Sequence, residues 1–116
     1  MSPEEIKDAV CKELDDRKSV DLTVLKVTHL TVLADYFVIC TARSNKQVKA
    51  LAEYVSESME EVGVQTLRSD GVREGKWAVL DFGSVIVHIF NDDTRMFYCL
   101  EKLWADGDNV EFYPAK

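Results

Sequence analysis

The chain is short of the residues that build metal centres and disulfide frameworks. Its 116 residues include three cysteines, two histidines, two prolines and five glycines. Cys11, Cys40 and Cys99 stand in apolar surroundings with no short Cys-x-x-Cys spacing, so a zinc site would need ligands from remote segments. Buried thiols in a reducing compartment are the expected state, with no metal site. No apolar run approaches the roughly 20 residues that span a bilayer, and no signal-peptide pattern opens the sequence; a cytoplasmic domain is expected, with no membrane partner. Basic residues are also scarce, with 14 Lys and Arg against 21 Asp and Glu, a net charge of −7. A protein that grips nucleic acid mainly through phosphates needs clustered cations. The densest group here is Arg43, Lys46 and Lys49. Little direct nucleic-acid contact is therefore expected, and a basic protein partner suits the charge better. Phosphate-binding glycine loops and the zinc-protease, nucleophile-elbow and kinase signatures are missing.

What is present is the pattern of one packed domain. With 47% apolar and 30% charged residues, disorder is excluded over most of the chain, and the length supports a single core. Ser2-Pro3-Glu4-Glu5 is a capping box with proline at the first helical position, and Ile6, Ala9, Val10 and Leu14 follow helical spacing. The charged run Asp15–Lys18 ends that helix. Leu22–Val27 is rich in β-branched residues and predicts a strand. Tyr36–Thr41 is continuously apolar, as in a strand covered on both faces. Ser44-Asn45-Lys46-Gln47 predicts a second capping box, opening a helix with Val48, Leu51, Ala52, Val55, Met59 and Val62 on one face and a stop at Gly63. A further strand is predicted near Val64–Leu67, then a loop through Asp70-Gly71 and Gly75. Strand, helix, strand implies a crossover and a partly parallel sheet, so the class is α/β or mixed α+β: a central sheet flanked by helices.

The 28 residues from Trp77 to Trp104 hold six of the eleven aromatics. Trp77–Phe82 and Val85–Phe90 flank Gly83-Ser84, a loop suited to a two-residue hairpin. Tight closure pairs 82 with 85, 80 with 87, 79 with 88 and 77 with 90. Alternation then makes Ala78, Leu80, Phe82, Val85, Val87 and Ile89 a core face. The opposite face mixes Trp77, Val79, Asp81, Ile86, His88 and Phe90, and either a helix or a partner must satisfy its polar groups. A third helix is predicted from about Asn91-Asp92-Asp93-Thr94, with Met96, Phe97, Cys99, Leu100, Leu103 and Trp104 on its apolar arc. Tyr98 falls outside that arc, either as a contact residue or as a wet tyrosine over its own sheet. Residues 105–116 form an acidic tail in which Val110, Phe112 and Tyr113 either dock locally or fray. Asp81 and His88 could approach across the hairpin as an acid–base pair, although a lone histidine on a sheet face is more often structural. Asp35 and Asp81 are the only carboxylates well placed for a metal-dependent phosphoryl transfer, too few for such a site.

Three blocks together carry a resemblance. Asp35-Tyr36-Phe37-Val38-Ile39-Cys40 leads to Ser44 and Gln47-Val48; Trp77–Gly83 runs into Val85–Phe90; and Arg95, Tyr98 and Leu100-Glu101-Lys102-Leu103-Trp104 follow. These resemble the ribosomal silencing factor family, also called Iojap-like, over about residues 4–104. The resemblance implies a nucleotidyltransferase-like scaffold without catalytic motifs or cofactor, and a homodimer when free. It implies binding to the large ribosomal subunit through its fourteenth ribosomal protein, obstruction of small-subunit joining, repression of translation, and a role in large-subunit maturation. Ala42, Asp70 and Ser84 depart from what members often carry at those positions. On this reading residues 1–104 are the domain and 105–116 the tail. The partner-binding residues are expected to be Trp77, Asp81, His88, Arg95, Tyr98, Leu100 and Glu101, with no catalytic residue. Two rival readings are a nucleotidyltransferase-like metal enzyme and a dimeric scaffold that never meets a ribosome.

Overall fold

A computed structural model describes residues 1–91 and 109–112. The Ser2 capping box forms as expected: its hydroxyl accepts the Glu5 N–H, and the Glu5 carboxylate accepts the Ser2 N–H at 2.9 Å. Helix α1 (Pro3–Asp16) follows, burying Ile6, Val10, Cys11 and Leu14. Strands β1 (Val20–Lys26) and β2 (Tyr36–Ala42) pair antiparallel. Helix α2 (Asn45–Glu61) then buries Val48, Leu51, Ala52, Val55 and Met59. Its cap departs from the predicted box. Ser44 accepts the Gln47 N–H, but the Gln47 side chain turns back one residue further, to the Arg43 N–H at 2.6 Å. Val62 lies past the last turn and is exposed rather than part of the buried face.

The hairpin forms with the predicted register: β4 (Trp77–Asp81) faces β5 (Val85–Asn91) with pairs 77/90, 79/88 and 80/87. Gly83 takes the first central position at φ +91°, which the two-residue turn demands and a side chain would resist. The strand predicted at Val64–Leu67 lies instead at β3 (Arg68–Asp70), a short exposed segment paired with β4. Its three polar side chains carry no apolar alternation, so only the partner strand defines it. At the other edge β6 (Val110–Phe112) pairs antiparallel with β1, so these tail residues dock rather than fray.

The sheet runs β3-β4-β5-β2-β1-β6. Within it β2 and β5 are parallel, and the crossover between them contains α2, β3 and β4. Both described helices pack on one face. Their apolar stripes meet Val24, Val38, Cys40, Ala78, Leu80, Val85, Val87 and Ile89 in the main core. The opposite face holds a second cluster of Leu25, Val27, Ala34, Phe37, Ile39 and Phe90. Strand β2 is thus buried on both sides, which explains its unbroken apolar run. Each such fully buried side chain contributes about 1.5–3 kcal/mol. The predicted third helix lies outside the described residues. Cys11 and Cys40 are buried and in no disulfide.

Candidate functional site

The hairpin alternation puts Trp77, Val79 and Asp81 of β4 beside Phe90, His88 and Ile86 of β5, on the sheet face away from the two helices. Trp77 stacks on Phe90 with ring centroids 5.0 Å apart. Its indole N–H reaches diagonally to donate to His88 Nδ1 at 3.2 Å. That bond assigns the tautomer: Nδ1 accepts, so the proton sits on Nε2. Nε2 is buried and has no hydrogen-bond partner among the described residues, while the Phe37 ring lies T-shaped to the imidazole with centroids 5.4 Å apart. Burial pushes the His88 pKa down to about 4, so the imidazole is neutral at pH 7.

Asp81 has a different task. Its carboxylate accepts the Gly83 N–H at 2.7 Å and closes the hairpin turn. No hydrogen bond joins it to His88 among the described residues, which leaves the acid–base pair without a geometric basis. Asp35 is likewise engaged: Thr28 Oγ1 donates to its carboxylate at 3.1 Å, and its backbone joins Val27 and Ser84. No cluster of metal-ligating side chains occurs among the described residues.

Between β3, the hairpin and β2 lies a cleft of about 430 Å³. Buried Phe37 and His88, half-buried Val79, Ile86 and Asp81, and exposed Leu33, Arg68 and Asp70 line it. Leu33 is 69% exposed. An apolar side chain so exposed at the border of an apolar recess is a feature of contact surfaces. Of the residues predicted for partner binding, Trp77, Asp81 and His88 come together on this face. Arg95, Tyr98, Leu100 and Glu101 lie outside the described residues. The pattern missed Leu33, Phe37, Arg68 and Asp70 as lining of this cleft. Phe37 had a signal, since a strand buried on both faces must present side chains to this one.

The comparisons with known proteins bear on the same scaffold. The model of the family described as "Ribosomal silencing factor during starvation" matches residues 1–116. The chain belongs to the ribosomal silencing factor family. It is 37% identical to ribosomal silencing factor RsfS of Bacillus subtilis, over 92% of this chain and 91% of that one. It is 36% identical to RsfS of Halalkalibacterium halodurans, over 96% and 95% of the two chains. Protein Iojap of Zea mays chloroplasts is 33% identical over 89% of this chain and 45% of its own length. The fold agrees with a crystal structure of a Chromobacterium violaceum protein at TM-score 0.88 and 36% identity, covering 90% of this chain and 87% of that one. The α/β scaffold expected from the resemblance is thus shown both by sequence kinship and by shape.

Proposed function

We propose that this chain silences ribosomes as a steric blocker rather than as an enzyme. It binds the large ribosomal subunit through the fourteenth large-subunit protein, prevents the small subunit from joining and so represses translation. It also takes part in large-subunit maturation and is a homodimer when free. The observation that carries the reading is the cleft: an apolar recess beside neutral His88, bordered by Asp81, by the Arg68–Asp70 ion pair and by exposed Leu33. Such a surface takes an apolar anchor from a protein, with the Asp81 carboxylate favouring a basic neighbour. The rival metal-enzyme reading loses support because Asp35 and Asp81 are committed to Thr28 and Gly83.

The test is co-sedimentation with separated large subunits, followed by addition of small subunits. The wild-type chain should pellet with the large subunit and reduce joining. Leu33→Asp on the exposed cleft border, and Tyr98→Ala on the predicted third helix, should each weaken binding at least tenfold while remaining folded. Unchanged binding by both folded variants assigns the contact to another face.

A further inference from the structure

The group Arg43, Lys46 and Lys49, too small to make this a nucleic-acid-binding protein by composition, gains neighbours in the fold. The loop 71–76 lies directly on the start of α2: a Cβ on Gly75 would sit 2.4 Å from the Asn45 carbonyl oxygen. Asn91 links the two segments, donating its side-chain amide to Asn45 at 2.7 Å and its backbone N–H to the Lys76 carbonyl at 3.0 Å. Arg73 and Lys76 thereby join the three cations of 43–49, with Glu74 the one acid within these two segments. All five basic residues are exposed. Among the described residues Lys7, Lys12, Arg17 and Arg68 sit in ion pairs, and none of these five does.

A second observation is independent of that clustering. The charges of α2 run against its own dipole. The first turn has no acid and the last turn no base, whereas Lys46 and Lys49 lie near the start and Glu57, Glu60 and Glu61 near the end. Cations at a helix N-terminus are unfavourable for the helix itself. The helix's own dipole therefore does not favour this layout, while a bound polyanion would, because it meets the cations gathered at that end.

We propose that the surface formed by Arg43, Lys46, Lys49, Arg73 and Lys76 contacts the phosphate backbone of ribosomal RNA. The proposal rests on the ribosome-binding reading and adds to it a local RNA contact that the overall acidity conceals. Such a contact is read without sequence preference and leaves a salt signature.

The experiment measures affinity of the purified full chain for large ribosomal subunits at several monovalent salt concentrations. Two variants lose the same three charges: Arg43→Gln/Lys46→Gln/Lys76→Gln within the patch, and Lys12→Gln/Lys18→Gln/Lys26→Gln outside it. The patch variant should bind about tenfold or more weaker near 0.1 M salt, with a log–log salt slope shallower by about 2–3. The outside variant should stay near wild type. Equal behaviour of the two folded variants overturns the proposal. A photoreactive residue in place of Lys46 should cross-link RNA, and labelling only protein overturns it as well. Failure of the wild-type chain to bind large subunits would instead remove the ribosome-binding reading itself.

Discussion

Neutral His88 accepts the Trp77 indole proton at one nitrogen and keeps its own proton on a buried other. Its folded pKa of about 4 lies below the usual 6.5, so between those values the unfolded chain binds the proton and the folded chain does not. The associated stability is complete above about pH 6.5 and is lost as pH falls toward 4, where the loss reaches about 3 kcal/mol. His88→Gln keeps a hydrogen-bond acceptor for Trp77 without the titration. Urea unfolding from pH 7.5 to 4 should therefore show wild type losing about 3 kcal/mol more than this variant; parallel curves would count against burial as the cause. The position of His88 on the mixed face was legible from alternation alone. Its neutrality was not, since that depends on Phe37 brought alongside by the β2–β5 pairing.

The two described helices end by the same hydrogen-bond pattern and with different residues. After α2, Gly63 takes φ +83°, and Val64 N–H returns to the Met59 carbonyl. After α1, Ser19 N–H returns to Leu14 in the same way, but Lys18 holds the left-handed position at φ +64°. A lysine there is strained relative to glycine. Lys18→Gly should raise stability by about 0.5–1 kcal/mol, read as a higher urea midpoint with unchanged slope; a fall would show that Lys18 makes an unrecognised contribution. Among the elements, the hairpin was most legible because period-two alternation and a glycine turn are local signals. The segment at β3 was not, because Arg68-Ser69-Asp70 becomes a strand only by pairing with β4. The Gln47 cap was half legible: spacing marks the residue, but not which N–H its side chain selects.

At the scale of the molecule, the sheet is closed at one edge by three residues. Asn109 brackets Lys26, its carbonyl accepting the Lys26 N–H at 3.0 Å and its side chain donating to the Lys26 carbonyl at 2.9 Å, just before β6 joins β1. Val110 also packs against the second core cluster. Ending the chain after Asp108 should lower unfolding free energy by about 2–4 kcal/mol and expose the β1 edge to larger assemblies. Denaturant titration and light scattering read both effects, and an equally stable, monodisperse truncation would show that β6 is dispensable. The candidate site follows the same rule of scale. Trp77, Asp81 and His88 come from one hairpin and could be read in sequence; Leu33, Arg68 and Asp70 come from other segments and could not.

The layout of α2 has a consequence before any contact forms. Lys46 and Glu61 stand some 15 residues apart, about 22 Å along the axis. Positive and negative ends so separated give α2 an electric moment that adds to its backbone dipole, and a negatively charged surface exerts a torque on it. Screening confines that torque to roughly the last 8–10 Å of approach. Within that distance the chain rotates its basic end inward and its acidic end outward. Part of the orientational search is then completed during diffusion rather than after collision.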